Sequence, residues 1–158
     1  MKTPLLALLL SLPVMAEDLP SIAAMKSAAD AFLGSLDDAK RGQATFPFAG
    51  DARENFKFTP QTRTGLPFKD MTEAQRAAAG KLLDAALSEK GKLKATQIIT
   101  LEGVLREMEK KPDYRDPEKY YVSIFGKPGD EKGWGWKFEG HHLALNYTVV
   151  GGKEFSVT

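Results

Sequence analysis

The sequence predicts an α+β fold in which N-terminal helices pack on an antiparallel sheet formed by the C-terminal strands. Apolar residues recur every three or four positions across much of residues 19–110, which is the spacing of amphipathic helices. From residue 120 onward the chain is rich in aromatic and β-branched residues and in glycine turns, which favours strands. The chain of 158 residues suits one domain, which we place at residues 17–158.

Residues 1–16 have the pattern of a signal peptide. Lys2 supplies a positive charge, residues 4–14 are apolar or small, and Ala16 ends the segment with a small residue. The apolar run is about half of the ~20 residues that a membrane-spanning helix needs. We therefore predict an exported chain, periplasmic or extracellular, with no membrane span once the peptide is cleaved.

The composition excludes several classes of function. A chain without cysteine has no disulfide framework, thiolate metal site or iron–sulfur cluster. Cleavage removes Lys2 and takes the 22 basic residues to 21, which equals the 21 acidic residues. A chain without net charge has no basic excess to attract phosphates, so we exclude nucleic acid as a partner.

Helical periodicity predicts a first helix over residues 19–40 and a second over residues 72–90. At the start of the second helix, Thr72 and Gln75 have the spacing of a capping box, in which each side chain bonds a free backbone N–H. Gly91 would provide the left-handed conformation that ends this helix.

A third helix is predicted over residues 95–110, before Pro112. Its apolar stripe should face the core, because these residues recur at helical spacing. The stripe consists of Ile98, Leu101, Leu105 and Met108. Between the first two helices, residues 45–69 contain prolines and phenylalanines without a clean period, which predicts an irregular segment with short strands.

Three strands are predicted after the helices, at residues 120–125, 134–150 and from 154 to the last residue. The middle strand contains a change of phase, since its large apolar residues occupy even positions before Gly140 and odd positions after it. They are Trp134, Trp136 and Phe138, followed by Leu143, Leu145, Tyr147 and Val149. One extra residue at Gly140 and His141, a β-bulge, would return both sets to one core face, because side chains alternate between the faces of a strand.

The bulge would also turn the adjacent His141 and His142 toward one side, beside Glu139. We predict His142 as a general base, Glu139 as its carboxylate partner, and His141 as a second ligand or orienting group. The same three residues could instead hold zinc or iron with open coordination positions. The alternative is structural, because an imidazole at a sheet surface is often a hydrogen-bonded group without a chemical role.

The polar face of the middle strand is the predicted place for a small-molecule or peptide ligand. That face offers Lys137, Glu139, His142 and Asn146. Ala144 would leave a shallow gap between the last two. Asn146 or Arg53 would hold a polar group of the substrate, because an amide and a guanidinium both supply directed hydrogen bonds.

Trp136 and Arg115 are two further ligand-binding candidates. Trp136 could form a stacking platform for a sugar or an aromatic ligand, or it could pack in the core, which is the commoner use of tryptophan. Arg115 could bind a carboxylate or phosphate through its two-pronged guanidinium, or it could form a local ion pair that orders a loop.

Five blocks of the sequence carry a resemblance to a family. They are residues 50–53, 65–72, 115–121, 125–128 and, most specifically, 134–143. These blocks resemble the signature blocks of the domain of unknown function 3500 family, and the resemblance covers residues 46–158. It implies an exported protein and no established activity, substrate or cofactor. It also implies that the family's domain continues beyond this sequence, so that residues 17–158 would form its N-terminal portion, with an incomplete sheet and an unpaired edge.

Two classes of function remain open from the sequence. The first is an exported enzyme of unknown reaction, with a histidine and glutamate site at the bulge that acts either alone or with a bound metal. The second is a non-catalytic ligand-binding or structural module of the cell envelope, in which the histidines line a groove or hold the bulge in place.

Overall fold

The computed structural model describes residues 21–158, so the predicted signal peptide at residues 1–16 lies outside the described residues. The helices are α1 (Ile22–Gly34), α2 (Asp38–Ala44), α3 (Asp51–Glu54), α4 (Glu73–Ala86) and α5 (Glu89–Glu109). The strands are β1 (Thr45–Phe46), β2 (Leu66–Pro67), β3 (Tyr121–Phe125), β4 (Trp134–Gly140), β5 (Leu143–Val150) and β6 (Glu154–Val157). Helices that precede a sheet of mainly C-terminal strands confirm the predicted α+β class.

The six strands form one sheet, with the order β1-β3-β4-β5-β6 and with β2 also paired to β3. The sheet is mixed, because β1 runs parallel to β3 while the other pairs are antiparallel. The C-terminal strands β3 to β6 pair antiparallel with one another, as predicted, and the one parallel pair involves β1 from the N-terminal half. The two short strands β1 and β2 come from the irregular segment at residues 45–69, and they reach β3 only through tertiary folding. β6 lies at the edge of the sheet.

The hydrophobic core lies between the sheet and the helices α1 and α4. Its largest fully buried side chains include Met25, Phe32, Leu82, Tyr120, Trp134, Trp136 and Phe138. Trp136 stacks on Tyr147 of the neighbouring strand, with ring centroids 4.6 Å apart and planes 9° from parallel. Aromatic side chains contribute most of the apolar area of such a core, so this layer provides much of the driving force for folding.

The first predicted helix is two helices in the structure, and the second ends earlier than expected. Asp37 caps α2 by accepting a hydrogen bond from the Lys40 backbone, so the chain turns between α1 and α2. The capping box of Thr72 at the start of α4 is confirmed. Ser88 caps α5 and accepts from the Gly91 backbone, so Gly91 lies in the first turn of α5 rather than at the end of α4.

The helix α5 faces the body of the protein with a different side from the one predicted. Its buried residues are Ala95 and Glu102, whereas Leu101 and Met108 of the predicted stripe are exposed. Glu102 is buried because it pairs with charged and polar groups outside the helix, and this pairing offsets the cost of removing a carboxylate from water. No helix within residues 21–158 is long and apolar enough to cross a membrane.

Residues 134–150 form a hairpin, and the predicted β-bulge is wrong. The strands β4 and β5 are antiparallel neighbours joined by a turn at His141 and His142. In this register each even position of β4 faces an odd position of β5, as Trp136 faces Tyr147. The change of phase in the sequence therefore marks a reversal of chain direction. His142 adopts φ 56°, in the left-handed region that tight turns use.

Candidate functional site

The face of the hairpin opposite the tryptophans carries the polar residues that the sequence singled out. Lys137 of β4 pairs with Asn146 of β5, and Glu139 pairs with Ala144. Because side chains alternate along each strand, these four lie on the face opposite Trp136. These residues therefore share one face, as predicted, but a hairpin rather than a bulge brings them together.

Lys137 and Glu139 form a buried ion pair on this face. Their side chains are 3% and 4% exposed, and Lys137 Nζ lies 3.3 Å from Glu139 Oε1. The segment after β1 covers the lysine: Nζ donates to the carbonyl oxygens of Ala52 at 2.7 Å and Asn55 at 2.9 Å. Burial raises the pKa of Glu139 above its usual range, although Lys137 and, to a lesser extent, Arg63 lower that pKa.

The Arg63 side chain joins the loop before β2 to the hairpin through hydrogen bonds and an ion pair. Its side chain is 1% exposed, and its Nε lies 3.5 Å from Glu139 Oε2. Nη1 donates to the Gln61 carbonyl at 2.8 Å, and Nη2 to the Thr59 carbonyl at 2.8 Å and the Gly140 carbonyl at 2.9 Å. The guanidinium therefore fixes the backbone on both sides of the buried carboxylate.

Arg53 is held beside this ion pair by β5. Asn146 Nδ2 donates to the Arg53 carbonyl at 2.8 Å, and Arg53 Nη1 donates to Thr148 Oγ1 at 3.2 Å. Arg53 Nη2 also lies 3.2 Å from a carboxylate oxygen of Glu54. The structure thus brings together Arg53, Glu139 and Asn146, three of the predicted site residues.

Two adjoining cavities open on this face, and we call them together the groove. The polar end has a volume of about 270 Å³. Its lining includes Arg53, Glu54, Asn55, Lys137, Glu139 and Asn146. The aromatic end has a volume of about 300 Å³. Its lining includes Lys57, Phe58, His142 and Leu143. Phe56 and Ala144 line both ends, so the predicted gap at Ala144 is the middle of the groove.

The two histidines take different environments. His141 is buried: its Nδ1 contacts Glu102 Oε1 of α5, and Arg115 Nη1 lies 3.2 Å from the same nitrogen. The Tyr120 hydroxyl donates a hydrogen bond to the His141 carbonyl at 3.0 Å. Burial raises the pKa of Tyr120, and the negative charge of Glu102 raises it further. Glu102 is therefore the carboxylate partner of His141. Glu139, which was predicted as the partner of His142, pairs instead with Lys137.

Sequence reasoning missed Glu102 because it looked for an apolar stripe on its helix. A signal was available, since Ala95, Glu102 and Glu109 recur at seven-residue spacing and so share one side of α5. Glu109 accepts hydrogen bonds from Arg115 at 2.9 and 3.1 Å, and this bonding lowers the pKa of Glu109. Two acidic residues on one side of a helix, followed closely by an arginine, indicate an ion-pair network.

The predicted metal site at His141, His142 and Glu139 does not form. Glu139 lies under the loop that Arg63 anchors, whereas His141 contacts α5. The exposed His142 packs its ring 3.9 Å from that of His141 and lines the aromatic end of the groove. Within residues 21–158 there is no group of three or more histidine, aspartate or glutamate side chains placed to hold a metal ion.

Two predicted ligand-binding residues lie away from the groove. Trp136 is fully buried and stacks on Tyr147, so the core alternative for it is correct and the platform is not. The guanidinium of Arg115 is engaged by Glu109, with Glu102 Oε1 at 3.7 Å, and this is the ion-pair alternative.

The fold and this site define an α+β domain that carries a partly charged groove on the face of its sheet opposite α1 and α4, bordered by the short helix α3. The chain belongs to the family described as protein of unknown function (DUF3500), whose family model matches residues 19–158. This match confirms the family that the sequence blocks predicted. No curated protein and no solved structure matches the chain.

Proposed function

We propose that this chain is an exported protein that binds a small polar molecule in the groove. The observation that carries the proposal is the buried Lys137–Glu139 pair on the wall of a surface cavity. Replacing such a pair by apolar residues is often neutral or stabilising, so stability gives little reason to keep it. Small-molecule sites typically combine a concave surface with a few fixed polar groups, as this groove does.

The polar groups of the groove are already oriented by protein contacts. Backbone carbonyls hold Lys137, and β5 holds Arg53 through Thr148 and Asn146. Side chains fixed in this way lose little conformational freedom when a ligand binds, which favours affinity. Asn146 Oδ1 and Glu139 Oε2 are buried and accept no hydrogen bond from residues 21–158, so a ligand hydroxyl or water that reached them would complete the network.

Binding is tested with a variant that fills the middle of the groove. Ala144→Phe adds a ring there without removing a hydrogen bond, and Ser156→Phe adds the same ring to the same sheet face outside the groove. Melting temperatures are measured with hexasaccharides, amino acids, dicarboxylates and polyamines. At about 100-fold excess over Kd a ligand stabilises by roughly 2.7 kcal/mol.

We expect at least one of these compounds to raise the melting temperature of the wild type and of Ser156→Phe, and to leave Ala144→Phe unchanged. If no compound shifts the wild type, or if Ala144→Phe responds like Ser156→Phe, the proposal is rejected.

Acid–base catalysis by Glu139 is a second candidate function, favoured by the raised pKa of this carboxyl. Burial raises the pKa of Glu139, as it does for many catalytic carboxyls, and Lys137 Nζ lies 3.3 Å from Glu139 Oε1, close enough to share in a proton transfer. The bound compound is incubated with the wild type and with Glu139→Gln, and products are sought by mass spectrometry. Product from the wild type alone supports catalysis, whereas unchanged compound in both leaves a binding protein.

Residues 1–16 have the pattern of a signal peptide, which supports export of the protein. The protein is expressed in a bacterium with its full N-terminus, and its intact mass is measured in the periplasmic fraction. We expect a chain that begins at Glu17. Protein that stays in the cytoplasm and retains residues 1–16 would contradict export.

A further inference from the structure

We infer that the groove takes a neutral oligosaccharide, with one sugar unit at its polar end and the next over the phenylalanines of its aromatic end. This inference rests on the proposed binding function and names the class of ligand. Three observations carry it: the charges of the polar end are paired within the chain, its remaining groups both donate and accept hydrogen bonds, and two exposed aromatic rings adjoin it.

The charges at the polar end have partners in the protein. Arg53 pairs with Glu54 at 3.2 Å, and Lys137 pairs with Glu139 at 3.3 Å. A charged ligand at the polar end would have to compete with these contacts, and it would lose its own hydration there without gaining a free counter-charge at that end. A neutral ligand avoids both costs.

The same end presents donors and acceptors close together. The Arg53 guanidinium donates, the exposed Glu54 carboxylate accepts, and the Asn55 amide does both. A hydroxyl group also both donates and accepts, so a ring that carries several hydroxyls can satisfy such a mixed lining.

The aromatic end supplies an apolar surface. Phe56 is 67% exposed and Phe58 is 61% exposed, two positions apart on the segment that borders the groove. Large apolar side chains that are exposed side by side often mark a ligand-binding or interaction surface. The C–H face of a sugar ring can pack on an aromatic ring while its hydroxyls stay in water, which matches a surface that is apolar on one side and open on the other.

Lys57 and His142 complete the aromatic end. The charge of Lys57 acts on Glu139, whose pKa it lowers. His142 presents an exposed imidazole that can donate or accept a hydrogen bond, and so it adds a further partner for a hydroxyl.

The test uses the full chain and four named probes, cellohexaose, maltohexaose, xylohexaose and chitohexaose, in isothermal titration calorimetry. We expect at least one probe to bind. The double variant Phe56→Ala/Phe58→Ala should weaken that binding about tenfold or more, because it removes two stacking contacts. Its melting temperature should stay near that of the wild type, because both rings are exposed. The matched control Tyr114→Ala removes an exposed ring outside the lining of the groove and should leave binding unchanged.

The outcomes separate this inference from the proposed function. If none of the four probes binds while an amino acid, dicarboxylate or polyamine binds and is blocked by Ala144→Phe, the oligosaccharide is excluded and the binding function stands. If a hexasaccharide binds but neither the double phenylalanine variant nor Ala144→Phe weakens it, the site lies elsewhere and the inference is overturned. If nothing binds, both fail.

Discussion

Replacing Arg63 by alanine tests whether one buried guanidinium holds the groove together. The substitution removes the hydrogen bonds to the carbonyls of Gln61, Thr59 and Gly140 and leaves the Glu139 carboxylate without its neighbour at 3.5 Å. Breaking a buried ion pair by removing one partner costs about 3–5 kcal/mol. For a domain of this size, that loss corresponds to a fall of roughly 6–20 °C in melting temperature.

The assay is urea unfolding followed by the fluorescence of Trp134 and Trp136, which are both fully buried and so report loss of the core. Arg41→Ala is the control, because Arg41 Nη2 makes a hydrogen bond to the Leu36 carbonyl at 3.1 Å near the surface. We expect it to lose about 1 kcal/mol or less. If Arg63→Ala also loses less than about 1 kcal/mol, the Arg63–Glu139 ion pair and the hydrogen bonds of Arg63 to the loop do not stabilise the fold.

Three further predictions concern the hairpin and the groups around it. Glu102→Ala leaves His141 without its buried partner and removes an ion-pair contact of Arg115, so it should lower the free energy of unfolding by about 1–3 kcal/mol in urea titration. The exposed Glu107→Ala on the same helix should change it by less than about 0.5 kcal/mol. Gly140→Ala would place a Cβ against the ring of Tyr120 and should cost about 1–3 kcal/mol in the same assay. Burial raises the pKa of Glu139 in the folded protein, so the protonated carboxyl contributes stability that is present below pH 4.5 and is lost as the pH rises through the raised pKa. Melting temperatures measured over a range of pH should show this loss in the wild type and not in Glu139→Gln.

Each of these predictions has an outcome that contradicts it. Equal losses for Glu102→Ala and Glu107→Ala would mean that the contact between α5 and the turn is not stabilising. A Gly140→Ala variant as stable as the wild type would mean that the Tyr120 ring does not press on β4. A pH dependence that Glu139→Gln shares with the wild type would assign it to another group.

The local elements of this fold could be predicted because their signals lie within a few residues. The capping box of Thr72 and Gln75 satisfies backbone donors inside one turn, and it starts α4 where the sequence places it. The glycine pair Gly151 and Gly152 before β6 likewise forms a turn, of the kind that glycine favours, with φ of 62° and 64°. The polar face of the hairpin was also predictable, because alternation along a strand needs no knowledge of the partner strand.

The candidate site was predicted in part, and the reason is visible at Gly140. A bulge and a two-residue hairpin both shift the phase of alternation by one position, so the pattern alone does not distinguish them. Pairing of β4 with β5 decides between them, and with it the separation of His141 from Glu139.

The sequence by itself determined the fold class, the family, the cap of α4 and the set of polar residues that share one sheet face, because each depends on short-range spacing. Tertiary structure alone decided that Trp136 is core, that His141 pairs with Glu102 and that Arg63 reaches Gly140. The His141–Glu102 and Arg63–Gly140 contacts join residues that are 39 and 77 positions apart in the sequence. They form because a buried charge must find a partner wherever the packed chain places one, and no local pattern records where that is.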